Sequence, residues 1–193
     1  MTRLWVIAGP NGAGKSSLTR RYISLLTRLH VINPDTIAAN LAGGGRFTAD
    51  QAARAGRVAL KEQRLYLAER RSFAVETTLT GQAPLRLLTT ARDVGYKTSL
   101  VYVGLDDVGL SLARVAARVS AGGHDIPPAD ILRRFDRSMA NLHRALPLVD
   151  RLWLFDNSRD RWRLILRTEG RHLRFASPDL PRWAADIVTG YRR

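Results

Sequence analysis

A glycine-rich segment near the N-terminus carries residues that suit phosphate binding. Segment 9–16 reads Gly-Pro-Asn-Gly-Ala-Gly-Lys-Ser and directly follows the apolar run 4–8. Glycines permit backbone angles that turn successive N–H groups toward one anion. Lys15 adds a point charge for the outer phosphates, and Ser16 adds a hydroxyl ligand for Mg²⁺. The pattern predicts a site for ATP and Mg²⁺, and the alternative is a glycine-rich turn without a ligand. The residues expected around the phosphates are Gly9, Pro10, Asn11, Gly12, Ala13, Gly14, Lys15, Ser16 and Ser17.

Three carboxylates follow predicted strands, at Asp35, Glu76 and Asp156. Ligands of open α/β sheets bind at the carboxyl ends of the strands, so these groups are candidates for one site. In a kinase, Asp35 would face the γ-phosphate, where it could accept the proton of an attacking hydroxyl or hold a water bound to Mg²⁺. The alternative role for Asp35 is the N-cap of a helix over 36–41, and the two roles are compatible.

Hydroxyl and amide side chains follow two of these carboxylates. Glu76 precedes Thr77 and Thr78, and a carboxylate beside hydroxyls suits hydrogen bonding to a polar acceptor such as a sugar. The alternative is a strand-end cap in which the hydroxyls satisfy a turn. Asn157 follows Asp156 in a turn that can lie beside the base of the nucleotide, and the alternative there is an ordinary Asx turn.

Arginines near the middle of the chain are candidates for binding the transferred phosphoryl group. Arg114 and Arg118 are four residues apart and share one helix face. His124 lies in the loop 121–128, and Arg134 follows in the next helix. Arginines on a closing segment would stabilise the charge of the phosphoryl group and exclude water. The alternatives are a solvated helix face for the arginines and a hydrogen-bonded loop residue for His124.

Strands and helices alternate along the chain, which predicts an α/β fold with a parallel sheet covered on both faces. We expect one domain over 1–193, with a core over 3–158 and a C-terminal segment over 159–193 that forms a β-hairpin (162–175) and a helix (181–189). The expected strands of the core lie at 4–8, 30–33, 73–76, 98–103 and 152–155. The expected helices of the core lie at 15–28, 36–41, 49–70, 83–93 and 107–120, with one more that ends near 146.

The composition is that of a globular protein with a strong basic excess. The 193 residues are 45% hydrophobic and carry a net charge of +14. The basic residues are spread along the chain, so they fit an anionic small substrate or an acidic protein partner as well as nucleic acid. The chain has no cysteine and no apolar run of membrane-spanning length. We therefore expect a cytoplasmic protein without thiolate metal sites or a membrane partner.

Six segments in this order together resemble the zeta-toxin family, in its compact branch that is often labelled predicted ABC-type ATPases: 9–17, 33–38, 76–81, 114–127, 137–142 and 155–158. The resemblance covers about residues 3–158. It implies a three-layer P-loop kinase-like fold and ATP-dependent phosphorylation of a sugar hydroxyl, which in characterised members is the 3′-hydroxyl of the N-acetylglucosamine moiety of UDP-N-acetylglucosamine.

The resemblance also implies roles for individual residues. Lys15 would bind the phosphates, Ser16 the metal, and Asp35 would act as the base. Glu76 would contact the substrate. Arg114 or Arg118, with residues near His124, would surround the γ-phosphate.

Two functions from different classes remain open on the sequence. The favoured one is a small-molecule kinase of the zeta-toxin type, with the possibility that the protein is the toxin of a toxin–antitoxin pair and binds an acidic antitoxin. The alternative is a nucleic-acid-associated P-loop NTPase or a polynucleotide kinase, which the net charge of +14 motivates.

Overall fold

A single twisted sheet organises the described part of the protein. The computed structural model describes residues 1–23, 29–44, 47–123 and 125–192. Within these residues the sheet has the strand order β2-β3-β1-β4-β5-β6-β7. All neighbouring pairs from β2 to β5 are parallel, whereas β6 and β7 are antiparallel to their neighbours. The strands are β1 (Arg3–Ala8), β2 (His30–Ile32), β3 (Phe73–Thr77), β4 (Lys97–Gly104), β5 (Arg151–Asp156), β6 (Arg163–Glu169) and β7 (His172–Ala176).

Helices connect the parallel strands. Thr48 begins the longest of them with a capping box, in which its hydroxyl accepts from the Gln51 N–H and the Gln51 side chain accepts from the Thr48 N–H. None of the helices in the described ranges is both long and apolar enough to cross a membrane. The α-helices are α1 (Lys15–Leu18), α2 (Pro34–Leu41), α3 (Ala49–Ala68), α4 (Ala83–Asp93), α5 (Val108–Ser120), α6 (Pro128–Ala145) and α7 (Ala185–Arg192).

The first helix differs from the single α-helix that we expected over 15–28. It is α-helical only through Leu18 and continues as a π-helix over Thr19–Ile23, while residues 24–28 lie outside the described part of the chain. The π-helix begins at Thr19, a buried residue whose hydroxyl donates to the Glu76 carboxylate at the end of β3. π-Helical turns often occur at functional sites.

Both faces of the sheet are packed against helices, as the alternating strand residues require. On β1, Leu4 and Val6 face a large core that contains residues of α3, α4, α6 and α7. Ile7 faces the other way, into a smaller core that includes Leu18 of α1 and, at its margin, Leu110 of α5. The α/β fold with a mainly parallel, three-layer arrangement is therefore confirmed.

The C-terminal hairpin adds β6 and β7 to the sheet, as predicted, and the segment after it packs back on β4. The ring of Trp183 occupies the space beside Gly104, where a Cβ would lie 2.4 Å from the ring. The indole N–H of Trp183 donates to the Asp156 carboxylate at 3.2 Å. These contacts fix the C-terminal segment to the carboxyl ends of β4 and β5.

Candidate active site

The glycine-rich segment forms a loop between β1 and α1, in a conformation that requires glycine at two positions. Gly14 precedes α1 with a φ of 90°, in the left-handed region. Gly9 has a φ of 144°, and a Cβ there would lie 2.2 Å from the carbonyl oxygen of Val103 in β4. The loop can therefore approach β4 closely only because Gly9 has no side chain.

Side chains from outside the loop bind two of its carbonyl oxygens. The Ser111 hydroxyl on α5 donates to the carbonyl of Asn11 at 2.6 Å. The Asn157 amide, after β5, donates to the carbonyl of Ala13 at 2.9 Å. Engaging the carbonyl oxygens in this way suits a loop whose N–H groups face an anion. Asn157 therefore contacts the predicted phosphate loop directly.

Lys15 lies at the start of α1, beside a cavity of about 480 Å³, the phosphate cavity. Its ammonium group donates to the carbonyl oxygen of Pro10 at 2.9 Å. Burial lowers the pKa of Lys15 from its ordinary value, while the Glu76 and Asp35 carboxylates oppose this fall and Arg118 adds to it. A desolvated cation next to a cavity gains strongly from an anionic ligand.

The phosphate cavity brings together most of the predicted site residues. They are Asn11, Gly12, Gly14, Lys15, Ser16, Ser17, Asp35, Glu76, Thr77, Thr78, Arg114, Arg118 and Arg134. Gly9, Pro10 and Ala13 belong to the loop without lining the cavity, and His124 lies outside the described residues.

Glu76 binds the phosphate loop itself. The Ser16 hydroxyl donates to Glu76 Oε1 at 2.5 Å, and the Thr19 hydroxyl donates to Glu76 Oε2 at 3.3 Å. Glu76 is buried, with 6% of its surface exposed. Glu76 therefore contacts Ser16, the predicted metal ligand, and its predicted contact with the substrate stays a prediction.

An oxygen set suitable for Mg²⁺ is present at this point. The Ser16 hydroxyl and the Glu76 carboxylate are in contact, and Asp35 lines the same cavity. Among the described residues no three His, Cys, Asp or Glu side chains form a metal cage. Mg²⁺ commonly takes only one or two protein carboxylates and completes its shell with phosphate oxygens and water. These residues therefore fit Mg²⁺ held jointly with a nucleotide.

Asp35 lies in the first turn of α2 and is exposed to the cavity. The N-cap of this helix is Asn33, whose side chain accepts from the Asp35 N–H at 2.9 Å, and Pro34 takes the first helical position. The alternative N-cap role for Asp35 is therefore wrong, because Asn33 performs it. The Asp35 carboxylate is left to face the cavity.

Arginines from two helices line the phosphate cavity. Arg114 and Arg118 project from α5, and Arg134 projects from α6. One terminal nitrogen of Arg114 is buried without a hydrogen-bond partner in the described structure. A buried guanidinium nitrogen without an acceptor is costly, and an anion bound in the cavity would supply the missing acceptor. Arg134 lies 3.6 Å from the Asp130 carboxylate, which orients it from its own helix.

The turn after Glu76 is rigid. Leu79 adopts a φ of 59°, which is strained for a residue with a side chain, and it is fully buried. The Thr77 hydroxyl accepts from the Leu79 N–H at 3.1 Å, and the buried Asn141 amide donates to the Leu79 carbonyl at 2.9 Å. The Thr77 hydroxyl thus satisfies a turn, which was the alternative reading. Thr77 still lines the cavity, so a substrate contact stays a prediction.

Asp156 does not contribute to the cavity. It is 1% exposed and accepts from the Ser158 hydroxyl at 2.6 Å, from Arg163 at 3.2 Å and from Trp183. Its role is to hold the C-terminal segment. The expectation that this strand-end carboxylate lies among the site groups is therefore wrong, because three neighbours already occupy its oxygens.

Two further clefts adjoin the phosphate cavity. The Trp162 cleft, of about 400 Å³, shares Arg114 with it and is lined by Leu110, Arg114, Asn157, Ser158, Arg159, Asp160 and Trp162. The Gly56 cleft, of about 250 Å³, shares Pro34, Glu76 and Thr77 with it and lies against α3 and α4. Each of the two clefts therefore borders the phosphate cavity through shared residues.

Sequence reasoning missed several residues of this region. Arg20 and Phe47 line the phosphate cavity, and Trp162 lies beside Gly14. Arg20 follows Lys15 by five residues, and the π-helix turns it to the same cavity. A signal for Arg20 exists in the sequence, because a cation one turn after the phosphate loop can reach the same anion. Trp162 has no such signal, because its placement depends on the hairpin.

Comparison with known proteins agrees with this geometry. The AAA domain family AAA_33 matches residues 4–142. An uncharacterized protein of Haemophilus influenzae is 34% identical over 131 residues, which is 64% of this chain and 91% of that protein.

Two solved structures have a similar fold. The AvrRxo1-ORF1:-ORF2 complex with ATP has a TM-score of 0.72 at 15% identity, over 99% of this chain and 64% of the matched chain. This chain thus spans less than two thirds of that relative's length. The PezAT toxin–antitoxin system of Streptococcus pneumoniae has a TM-score of 0.61 at 13% identity, over 100% of this chain and 85% of the matched chain.

The family and the sheet topology support the prediction of a phosphotransferase, and the zeta-toxin branch stays a prediction. Since the family match covers well over half of the chain, the protein belongs to the AAA domain family AAA_33, with a P-loop kinase-like fold.

Proposed function

We propose that the protein is an ATP-dependent kinase of the zeta-toxin type, which transfers the γ-phosphoryl group of ATP to a hydroxyl of a sugar or nucleotide sugar. One observation carries the proposal. The phosphate cavity is lined both by Arg114, with a buried guanidinium nitrogen that lacks a partner, and by the hydrogen-bonded Ser16–Glu76 pair. Such a cavity suits a polyphosphate together with a divalent cation.

The phosphate cavity and its two neighbouring clefts support one arrangement of the substrates. The Trp162 cleft would receive the nucleoside, since it offers an indole and polar side chains beside Asn157. The phosphate cavity would hold the triphosphate over Lys15. The acceptor hydroxyl would then approach from the Gly56 cleft, which shares Pro34 and Glu76 with the phosphate cavity that Asp35 lines.

The chain's own residues would act on the transferring group as follows. Asp35 accepts the proton of the acceptor hydroxyl while the oxygen of that hydroxyl forms a bond to the γ-phosphorus. Lys15, Arg114 and Arg118 stabilise the negative charge on the phosphoryl oxygens and on the leaving ADP. Ser16 and Glu76 would hold Mg²⁺, which when bound neutralises charge on the phosphates.

A protein partner is part of the proposal. Of the two solved structures named above, one is a complex of AvrRxo1-ORF1 with -ORF2 and the other belongs to a toxin–antitoxin system. The net charge of +14 would favour an acidic antitoxin. We therefore propose a toxin that acts in the cytoplasm, where ATP is available, and that an acidic antitoxin binds.

A screen of the purified protein tests the proposal. It is incubated with γ-labelled ATP and Mg²⁺ against nucleotide sugars, amino sugars and oligonucleotides. We expect label in a sugar-containing product, and its loss in Lys15→Ala and Asp35→Ala, while Asp35→Ala still binds ATP. Transfer to oligonucleotides alone would instead establish a polynucleotide kinase.

A further inference from the structure

The Gly56 cleft contains an unfilled position in the middle of a long helix. Gly56 lies within the 20 residues of α3 and lines the cleft. Glycine is among the least favourable residues in a helix interior. A Cβ at this position would meet nothing within 4 Å, so no packing contact requires glycine there. Gly56 instead leaves the cleft deeper than any other residue would.

The walls of the Gly56 cleft differ in charge from those of the phosphate cavity. The phosphate cavity is lined by five described cations, which are Lys15, Arg20, Arg114, Arg118 and Arg134. Among the described residues that line the Gly56 cleft there is no lysine, arginine or histidine, although the chain has 31 lysines and arginines. Its ionisable group is Glu76, at the junction with the phosphate cavity. An anionic group would be bound poorly in this cleft.

Neutral polar groups and apolar walls make up the rest of the cleft. Gln63 lies two turns after Gly56 on the same face of α3, and Thr80 lies opposite in the turn after β3. Ala59 and Leu87 supply apolar surface. With about 250 Å³, the cleft is smaller than the roughly 300–1,000 Å³ that drug-sized ligands occupy.

From these observations we infer that the acceptor is a small, uncharged, hydroxyl-bearing molecule that binds in the Gly56 cleft, and not a nucleotide sugar. The inference rests on the proposed kinase activity and narrows its acceptor. A free sugar or a similar neutral compound has the size and the charge that the cleft accepts. The diphosphate of a nucleotide sugar would need cations nearby. The five described cations of this region line the phosphate cavity, which ATP would occupy.

The reaction that follows is a balanced phosphoryl transfer. The acceptor oxygen forms a bond to the γ-phosphorus, and the bond between this phosphorus and the β,γ-bridging oxygen breaks. The hydroxyl proton passes to Asp35 and then to solvent. The products are ADP and a phosphate monoester of the acceptor.

The substitution Gly56→Leu tests the inference, because it fills the cleft without strain in the helix. The full-length protein is assayed with γ-labelled ATP against two sets of acceptors. One set holds N-acetylglucosamine, free hexoses and nucleosides, and the other holds UDP-N-acetylglucosamine. Gly190→Leu is the matched control, since Gly190 lies in α7, where a Cβ also meets nothing within 4 Å.

We expect transfer to a neutral acceptor and none to UDP-N-acetylglucosamine. Gly56→Leu should raise the acceptor KM by roughly tenfold or more, leave the Kd for ATP unchanged and leave Tm unchanged or higher. Gly190→Leu should leave the KM unchanged. Transfer to UDP-N-acetylglucosamine that Gly56→Leu does not affect would overturn this inference, while the proposed kinase activity would stand. If the protein bound ATP but transferred label to neither set of acceptors, both this inference and the proposed kinase function would be overturned.

Discussion

The hydroxyl of Ser16 donates a 2.5 Å hydrogen bond to the carboxylate of Glu76 and so joins the phosphate loop to the end of β3. The two residues are 60 positions apart in sequence. Since β3 lies next to β1 in the sheet, the strand order brings them together. A buried carboxylate beside a phosphate loop is well placed to hold a divalent cation over the nucleotide.

Glu76→Gln should reduce the apparent affinity for Mg²⁺ by about 10–100-fold. Glutamine keeps an oxygen that can accept from Ser16, but it removes the negative charge. The measurement is the rate of phosphoryl transfer as a function of Mg²⁺ concentration. Glu69→Gln is the control, because Glu69 pairs with Arg71 at the surface. An unchanged Mg²⁺ dependence in Glu76→Gln would show that the carboxylate has another role.

Asp35→Asn should lower kcat by about 10²–10⁴-fold, as expected for loss of a general base, while the Kd for ATP stays the same. The N-cap of α2 should survive, because it uses the Asn33 side chain and the backbone N–H of Asp35. Asn33→Ala provides the comparison, since it should cost about 1 kcal/mol of stability through the lost cap. Near-normal transfer by Asp35→Asn would remove Asp35 from the role of base.

Arg114→Met should have opposite effects on the free and the nucleotide-bound protein. Without nucleotide, Tm should stay the same or rise, because a buried nitrogen that lacks a partner is removed. The Kd for ATP should rise by about 10–100-fold, through loss of a charged hydrogen bond worth roughly 1.5–3 kcal/mol. Thermal unfolding with and without ATP measures both effects.

Arg133→Met is the matched control for Arg114→Met. Arg133 pairs with Asp130 at the surface, 2.7 Å away, and does not line the phosphate cavity. The Arg133→Met substitution should change neither the Tm nor the Kd for ATP appreciably. If Arg114→Met destabilised the free protein and bound ATP normally, Arg114 would be structural.

Stability in acid should depend on Asp150, at the start of β5. Burial by itself would raise the pKa of Asp150, but hydrogen bonds from Thr98 and Lys97 outweigh it and hold the pKa below its ordinary value. The folded chain therefore binds this proton less readily than the unfolded chain. The contribution of Asp150 is present above about pH 4 and is lost as the pH falls through the lowered pKa.

Asp150→Asn should accordingly lower Tm at neutral pH and have little effect at strongly acidic pH. Asp93→Asn, at an exposed carboxylate in the last turn of α4, is the control. The measurement is Tm as a function of pH for the three proteins. A Tm difference between Asp150→Asn and the unmodified chain that stays constant down to acidic pH would argue against this linkage.

The loop at 9–16 could be predicted from sequence because its conformation depends on local glycines and on the strand before it. The cap at Asn33 was also within reach, since an asparagine followed by proline is a frequent helix start. From the sequence we expected Asp35 to act as the base and named the N-cap only as its alternative role. The structure separates the two roles, with the amide of Asn33 as the cap and Asp35 in the cavity.

Contacts between distant segments could not be predicted in the same way. The pairing of Ser16 with Glu76 requires the strand order, which no local pattern encodes. The π-helix begins at Thr19, whose hydroxyl donates to Glu76, so helical periodicity alone did not distinguish this π-helical segment from an α-helix. The position of Asp156 at the end of a strand predicts a site residue, but its carboxylate instead accepts hydrogen bonds from Trp183 and Arg163 of the C-terminal segment.

The rate of label transfer from γ-labelled ATP to an acceptor, compared between the unmodified protein and Lys15→Ala, tests the central claim most directly. Lys15 lies beside the phosphate cavity with a desolvated ammonium group, so its loss should remove binding of the outer phosphates. We predict Mg²⁺-dependent transfer by the unmodified protein and no detectable transfer by Lys15→Ala. Equal rates for the two proteins would contradict the assignment of this cavity as the site of phosphoryl transfer.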